Sequence, residues 1–309
     1  MNKTLSDWFH VIRNCSVVGT YKMAWAKAIV ECCLEKQQLD VLSFNDISPK
    51  IFKYYWNQTI FFDLQQGSNP KKPLEFISYV KQKIEEYQNQ KGFQPIMFER
   101  IENKTKLDFN KMSRILKQDV SHRFLVVSGK NFPLYKLDKN KMIINCLDVD
   151  TIKTYSDLLF EIINYKWAQI LETYNSSPRI SQKIKITDRG GVKRKTLTRF
   201  KKYLDLDSDV CFICGGNFEP KQKSIDHMIP WSYMFSDDLW NLVYVHKKCN
   251  SSKSNKIVDD LIIKKLNERN YRLHKLMIEQ GMQNDKHFKE LELAIENQYV
   301  RKFWISFKG

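Results

Sequence analysis

Apolar residues recur at helical spacing through most of the first hundred positions. In residues 20–37 the apolar side chains fall near one face, and residues 48–64 and 72–92 show the same period. Pro49 suits the first turn of the second segment. The pattern predicts three helices. We expect the aromatic residues at 52–62 to pack in a core rather than to stack on bases, because their spacing is that of a buried helix face.

The period changes in the middle of the chain. Residues 123–127, 132–138 and 141–149 are short, apolar and rich in residues that favour strands. They predict a β-meander or a pair of hairpins. A longer amphipathic segment at 154–174 then predicts another helix.

Residues 175–195 have the composition of a linker, with Asn-Ser-Ser-Pro at their start and a Gly-Gly pair near their end. The alternation of Ile184 and Ile186 also allows a short strand. From Arg179 to Lys202, ten basic residues stand against one acidic residue. Two interpretations stay open: a basic arm that follows phosphates, or an ordinary solvated linker. We favour the arm because of the motifs that come after it.

Residues 256–280 and 287–307 predict two further helices near the end of the chain. Together these elements predict an α+β protein. We expect a mainly helical N-terminal domain that recognises DNA or binds a partner, a basic linker or arm, a small compact module and a C-terminal helical extension. Their predicted boundaries are 1–175 with a β-meander near 123–149, 176–204, 205–258 and 259–309.

Composition indicates a globular protein with a polyanionic partner. Hydrophobic residues make up 42% of the 309 positions, and the net charge is +16. Residues 175–309 carry 26 Lys and Arg against 16 Asp and Glu. Such an excess favours nucleic acid as a partner, while a merely solvated basic surface is the alternative.

The sequence gives no sign of a membrane protein or a secreted one. No apolar run reaches the roughly 18 residues that a membrane helix needs. The first residues lack the basic-then-apolar pattern of a signal peptide. The seven cysteines do not form the even framework typical of secreted disulfide proteins. We expect a cytoplasmic protein.

Four residues have the spacing of zinc ligands. Cys211 and Cys214 are separated by two residues and followed by a Gly-Gly pair, and His246 precedes Cys249 by three residues. Three thiolates and one imidazole make a tetrahedral zinc site, and in a reducing compartment metal is favoured over a disulfide. The alternative is a set of free thiols beside a surface histidine.

Polar residues of another kind lie between these ligands. Asp226 and His227 lie in a predicted strand at 223–229, Asn241 begins a second strand, and Asn250 lies where a helix should start. Over roughly residues 205–258 the order C-x-x-C, Asp-His-x-x-Pro, Asn, His-x-x-Cys-Asn-x-x-Lys resembles the zinc-bearing HNH, or ββα-metal, nucleases. The chain departs from the usual family pattern in having His246 in place of a cysteine and Asn250 in place of the final histidine.

The resemblance implies a role for each matching residue. His227 matches the general base that takes a proton from the attacking water. Asp226 and Asn250 match the ligands of a catalytic divalent ion, which the oxygen donors indicate to be Mg²⁺ or Mn²⁺. Asn241 matches the residue that spans the loop and fixes the base. Hydrolysis in this family leaves 5′-phosphate and 3′-hydroxyl ends.

Five basic residues are candidates for contacts with DNA phosphates. They lie either in the basic arm or just after the proposed metal ligands. These residues are Lys193, Arg194, Lys195, Arg199 and Lys253.

The most favoured function is a metal-dependent DNA endonuclease. The whole-chain layout also resembles, more loosely, bacterial nucleases of restriction and anti-phage defence, which place a segment like 167–180 ahead of Asp-His-x-x-Pro-Trp-Ser. A mobile-element or homing nuclease is one alternative, and a non-catalytic zinc module that only binds DNA is another. A homodimer or a partner subunit of a defence system would fit the first interpretation.

Overall fold

The computed structural model describes residues 2–35, 41–188, 195–207, 209–219, 221–253 and 259–308. The chain divides into two compact units, which are described separately. Unit 1 comprises Met1–Asn175 and Ile180–Val192, and unit 2 comprises Ser176–Arg179 and Lys193–Gly309. The architecture is α+β, largely helical with small sheets, as predicted. In the described part of the chain, every helix is too short or too polar to cross a membrane.

Unit 1 is built on helices around a core rich in tryptophan. Trp8, Trp25, Trp56 and Trp167 are fully buried, and each comes from a different helix. Burial of such large side chains is the main favourable term in the stability of this unit. Its helices are α1 (Lys3–Asn14), α2 (Tyr21–Glu35), α3 (Phe44–Phe62), α4 (Glu75–Lys91), α5 (Phe109–Gln118), α6 (Val120–Arg123), α7 (Val149–Thr154), α8 (Ser156–Glu172) and α9 (Ile180–Asp188).

Helix α3 begins earlier than the position of its proline indicated. Ser43 is the N-cap, and a reciprocal capping box joins its hydroxyl and backbone N–H to Asp46. Two of the helix's first free N–H groups are thereby satisfied. Pro49 therefore lies inside the helix rather than in its first turn. The cap determines the start, and the helix tolerates the proline.

The β elements of unit 1 form two small sheets. Strands β2 (Val126–Val127) and β3 (Lys130–Asn131) make a hairpin whose turn residues, Ser128 and Gly129, both have positive φ, as a type I′ turn requires. Strands β4 (Tyr135–Asp138) and β5 (Ile143–Cys146) make a second hairpin. The pair of hairpins matches the predicted β region. Strand β1 (Val41–Ser43) adds to the free edge of β5, a pairing that the sequence did not indicate.

The predicted linker contains a helix, so that prediction is wrong for residues 180–188. Ile180 and Ile184 in α9 are both buried, as are Lys183 and Thr187. These positions recur at intervals of three and four residues, which places them on one helical face. The short strand that the alternating isoleucines allowed does not form. The residues form a helix with one buried face, because α9 packs against α8 and α3 of unit 1.

Unit 2 consists of an antiparallel hairpin with helices packed around it. Strand β6 (Lys223–His227) pairs with β7 (Leu242–His246), and both strands contact the helix that follows β7 directly. The core residues of this unit come from the hairpin and from the C-terminal helices. The helices are α10 (Lys201–Leu204), α11 (Trp231–Met234), α12 (Lys247–Lys253), α13 (Asp260–Glu279), α14 (Lys286–Glu296) and α15 (Tyr299–Lys308).

The single helix predicted at 287–307 is two helices, α14 and α15. Gln298 between them has a φ of 54°, in the left-handed region, which ends α14. The side chain of Asn297 donates to the carbonyl of Leu293 and so satisfies one free acceptor at that helix end. The apolar pattern of the two helices is continuous, which explains why the break escaped sequence analysis.

We predict a pH-dependent contribution of Glu31 to the stability of unit 1. Burial alone raises its pKa, but Lys53, Tyr54 and Lys50 outweigh burial and hold the carboxyl pKa below its usual value. Its stabilising effect is therefore complete above the unfolded pKa of about 4.3 and is lost as the pH falls through the lower folded value. Glu31→Gln should lower the free energy of unfolding by about 2 kcal/mol at neutral pH.

Urea unfolding of the variant and wild type, followed by tryptophan fluorescence, measures this difference. The gap should close as the pH is lowered below about 4. The exposed Glu172→Gln is the control and should match wild type at each pH. A gap that stays constant down to acid pH would contradict the account.

Candidate metal centre and active site

The register of the hairpin in unit 2 positions the candidate residues. His227 at the end of β6 lies opposite Leu242 at the start of β7, and Lys223 lies opposite His246. Helix α12 begins at Lys247, directly after His246 and two residues before the start predicted near Cys249 and Asn250. We call residues 228–241, which connect the two strands, the site loop. It contains the short helix α11 and a 3₁₀ turn at Leu239–Asn241, where a loop without helix was predicted.

The four predicted zinc ligands lie together. The ligand atoms of Cys211, Cys214, His246 and Cys249 are all within 4.8 Å of one another. The first two come from a tight turn in which Gly215 has a φ of 75° and donates to the carbonyl of Cys211. Only a residue without a side chain adopts that conformation at no cost. The other two come from the junction of β7 and α12.

His246 has the tautomer and orientation of a metal ligand. Its Nδ1 lies 3.3 Å from the sulfur of Cys214 and 3.9 Å from that of Cys249. Its Nε2 lies 3.0 Å from the carbonyl oxygen of Asn217. Because that carbonyl can only accept, Nε2 carries the proton and Nδ1 presents its lone pair to the sulfurs. A backbone carbonyl behind the ring is the usual support of a metal-binding histidine.

Backbone donors favour the thiolate form of Cys211. Burial raises the pKa of this thiol, but N–H groups of Cys214 and His246 outweigh burial and place the pKa at about 6. The bond from His246 is a backbone N–H to the Cys211 sulfur at 3.3 Å. Thiolate is the form that binds zinc. Three sulfurs and one imidazole at these separations are compatible with a zinc knuckle and can hold the ion tetrahedrally.

His227 is held by a carboxylate that the sequence did not single out. The residue is 6% exposed, and its Nε2 lies 3.1 Å from Oδ1 of Asp237 in the site loop. Nδ1 has no hydrogen-bond partner among the described residues. It is not completely buried, so solvent can reach it. With Nε2–H donating to Asp237, the lone pair of His227 is on Nδ1. An imidazole in this state can accept a proton.

Arg199 fixes Asp237 from the other side. Its guanidinium donates to Oδ2 of Asp237 at 2.9 Å, in an ion pair whose carboxylate is 14% exposed. Burial raises the pKa of Asp237, but the bonds from His227 and Arg199 outweigh it and hold the pKa below its usual value. Asp237 is therefore a carboxylate. In this structure the guanidinium of Arg199 supports the partner of His227, and its phosphate contact stays a prediction.

Asp226 and Asn250 lie side by side next to His227. A terminal atom of the Asn250 amide is 3.3 Å from both carboxylate oxygens of Asp226. With nitrogen turned inward, the amide donates to the carboxylate. With oxygen turned inward, after a half-turn of the amide, the two residues present only oxygens to a shared point. Such a donor set fits Mg²⁺ or Mn²⁺, which take few protein ligands and retain water.

Lys253 lies against the same carboxylate. Its ammonium is 3.0 Å from Oδ2 of Asp226 and donates to the carbonyl of His227 at 2.6 Å, with 10% of its side chain exposed. The bond to the backbone ties the end of α12 to the end of β6. Lys253 was predicted as a phosphate contact. In this arrangement it orients Asp226 and adds positive charge beside it, and the phosphate contact stays a prediction.

Asn241 spans the site loop. Its Oδ1 accepts from the backbone N–H of Ile229 at 2.7 Å, and its Nδ2 donates to the carbonyl of the same residue at 2.8 Å. Its own carbonyl accepts from Met228 at 2.9 Å. Because Asn241 is 1% exposed, these bonds are shielded from water. They fix the backbone one and two residues after His227.

A buried arginine from α13 holds the end of the site loop. Arg269 is 2% exposed and donates to the carbonyls of Leu239, Trp240 and Leu242, the last at 2.6 Å. Burial lowers its pKa to about 10, so it stays charged at neutral pH. The neighbouring Asn270 donates to Trp240 as well. These contacts surround Asn241, and no local spacing in the sequence could have revealed them.

The remaining predicted phosphate contacts are only partly described. Lys195 is exposed. Lys193 and Arg194 lie outside the described residues. Arg199 and Lys253 are paired with carboxylates. Among the described candidates, only Lys195 is exposed and has no carboxylate partner in the described part of the chain.

Residues 217–258 match a family model described as HNH endonuclease. The matched stretch holds His227, Asn241 and Asn250, whereas Cys211 and Cys214 come before it. No curated protein and no solved structure matches the chain. The match supports an HNH endonuclease domain in unit 2. Such a domain suggests a metal-dependent nuclease acting on DNA, although HNH domains can also be non-catalytic.

We predict that the cysteine–histidine cluster carries one zinc ion per chain and stabilises unit 2. Cys249→Ser removes one thiolate and should release the metal. The free energy of unfolding should fall by about 3 kcal/mol or more, because metal binding contributes directly to folding. Metal content by plasma mass spectrometry and thermal unfolding measure both effects.

Lys248→Ser is the matched control, since this exposed residue precedes Cys249 on the same helix but lies outside the cluster. It should retain zinc and the wild-type melting temperature. Equal zinc content in the two variants would show that the cluster is not the zinc site.

Proposed function

We propose that this protein is a metal-dependent DNA endonuclease in which His227 is the general base. The observation that supports this most directly is the state of His227. Its Nε2 is held by Asp237, its Nδ1 has no partner among the described residues, and Asp226 precedes it on the strand. A general base must be oriented and must offer a free lone pair. The bond to Asp237 orients the ring of His227 and leaves the lone pair of Nδ1 available to a water.

Asp237 supports the proton transfer without touching the substrate. As His227 takes a proton from water at Nδ1, the ring becomes positive, and the carboxylate 3.1 Å from Nε2 stabilises that charge. The same bond holds the ring in the tautomer that leaves Nδ1 free. Arg199 keeps Asp237 ionised and in place. Arg199 therefore acts on His227 through the carboxylate of Asp237.

Asp226 and Asn250 are proposed to hold the catalytic Mg²⁺ or Mn²⁺. When bound, such an ion supplies positive charge where the phosphate and the leaving oxygen become more negative. Lys253 orients the Asp226 carboxylate and also brings positive charge to this place. Asn241 keeps the backbone after His227 from moving relative to the hairpin. The expected products carry 5′-phosphate and 3′-hydroxyl ends.

The charge of the chain supports a nucleic-acid substrate. The residues from 175 to the end carry 26 Lys and Arg against 16 Asp and Glu, and this range includes the whole HNH match. An excess of positive charge attracts DNA without regard to sequence. Lys195, with Lys193 and Arg194 before it, remains a proposed phosphate contact. The N-terminal unit is proposed to recognise DNA or to bind a partner subunit.

The proposed biological role is bacterial restriction or anti-phage defence. Its support is the loose resemblance of residues 167–180 and the Asp-His-x-x-Pro-Trp-Ser segment to nucleases of such systems. A mobile-element or homing nuclease is a second candidate with the same chemistry. A zinc module that only binds DNA is a third candidate. The presence of Asp226, His227 and Asn250 in one place favours catalysis over it.

We predict that His227→Ala and Asn250→Ala abolish cleavage while zinc is retained. The first variant removes the base. The second removes a proposed ligand of the catalytic cation but leaves the zinc ligand Cys249, the residue before it, unchanged. Each should reduce the rate by about a hundredfold or more. Nicking of supercoiled plasmid in the presence of Mg²⁺ or Mn²⁺ measures the rate, and plasma mass spectrometry measures zinc.

His274→Ala is the control, because this histidine of α13 pairs with Glu292 outside the site. It should cleave as wild type does. If wild type and His227→Ala both bind DNA and neither cleaves it, the protein is a binding module and the proposed function is wrong.

A further inference from the structure

Residues 176–179, between α8 and α9, belong to unit 2 although the sequence on both sides belongs to unit 1. We call them the docking segment. They include the Pro-Arg pair of the segment 167–180, whose role the proposed function leaves unassigned. Their partners within unit 2 are residues of the site loop.

Arg179 makes the central contact of the docking segment. Its Nη1 donates to the carbonyl of Met234 at 3.0 Å and to the hydroxyl of Ser236 at 2.8 Å. Both acceptors lie at the end of α11, where Phe235 has a φ of 52°. The carbonyl of Met234 is one of the helix-end acceptors that have no partner within the helix. A guanidinium is suited to such a place, since one nitrogen can serve two acceptors.

Two further hydrogen bonds hold the docking segment on the loop. The hydroxyl of Ser177 donates to the carbonyl of Tyr233 at 3.3 Å, and the hydroxyl of Tyr233 donates to the carbonyl of Ser176 at 2.9 Å. Arg179 itself has a φ of 58°. A residue other than glycine rarely adopts this left-handed conformation, and surrounding contacts must maintain it. The strained backbone directs the side chain to the loop.

Arg179 is connected to the general base through consecutive residues. Ser236, which accepts from Arg179, directly precedes Asp237 and donates to the carboxylate of Asp238. The carbonyl of Asp238 in turn accepts from the backbone N–H of Asn241 at 2.9 Å. The residues on both sides of Asp237 are therefore held, one of them by Arg179. The bond of Asp237 to His227 therefore depends on the position of this part of the loop as well as on Arg199.

We propose that Arg179 is a positioning residue for the reaction: by fixing Ser236 and the end of α11, it holds Asp237 against His227. The proposal rests on the proposed function of His227. Arg179 touches neither the substrate nor His227. Its loss should slow the chemical step without weakening DNA binding, because it acts only on the geometry of the loop.

The main alternative is that Arg179, an exposed cation, contacts a DNA phosphate. The two roles differ in what they change. A lost phosphate contact weakens DNA binding and reduces its dependence on salt. A lost positioning contact lowers kcat and leaves KM and the salt dependence unchanged.

The test compares full-length Arg179→Ala and Arg179→Lys with wild type. Arg301→Ala is the control, because Arg301 is an exposed arginine of α15 in the same unit. For Arg179→Ala we expect kcat on a short duplex to fall by about ten- to a hundredfold, with KM and DNA affinity within about twofold of wild type. Arg179→Lys and added guanidinium ion should each restore part of the rate. Arg301→Ala should behave as wild type.

Hydrogen–deuterium exchange supplies a readout that does not depend on cleavage. In Arg179→Ala, amides of residues 231–238 should exchange faster, while those of β7 stay protected. Unchanged exchange in this loop, or weaker DNA binding with kcat intact, would overturn the proposal. Absence of cleavage by wild type would instead remove the proposed function, and the exchange result would still decide whether Arg179 holds the loop.

Discussion

The antiparallel pairing of β6 with β7 is the constraint on which the candidate site depends. It places His227 at the end of one strand and the start of the other strand opposite it. At the far end of the hairpin, β7 passes without a connecting loop into α12. Cys249 and Asn250 therefore fall on the first turn of this helix. One belongs to the cysteine–histidine cluster, and its neighbour faces Asp226. A slip of the strands by one residue would reverse every side chain and separate the two groups.

Much of this arrangement could be predicted, because its signals are local. The paired cysteines, the histidine three residues before Cys249, and the Asp-His pair are motifs with short, fixed spacing. The long amphipathic helices α4 and α8 follow from their period for the same reason. The two hairpins of unit 1 were indicated by turn residues between apolar runs. The helix of the linker was missed because its buried face includes Lys183 and Thr187, which a hydrophobic pattern does not count.

The site residues that were not predicted from the sequence make contacts that belong to no short motif. Only the structure shows that Asp237, a residue of the site loop, contacts His227. Arg199, which pairs with Asp237, lies 38 positions before it in the chain. Arg269 comes from a helix beyond the end of the HNH match, yet it holds the backbone on both sides of Asn241. A buried charge of this kind is costly unless its donors are used. The C-terminal helices are thus part of the support of the site, and the module extends beyond the matched residues.

We propose that one hairpin and the start of α12 hold two different metals, zinc at the cysteine–histidine cluster and Mg²⁺ or Mn²⁺ beside His227. Anomalous diffraction from a crystal grown with Mn²⁺, measured on both sides of the zinc and manganese absorption edges, tests it most directly. We expect a zinc signal among Cys211, Cys214, His246 and Cys249, and a manganese signal between Asp226 and Asn250. Manganese bound elsewhere with no signal beside Asp226, or a cysteine cluster without zinc, would contradict it.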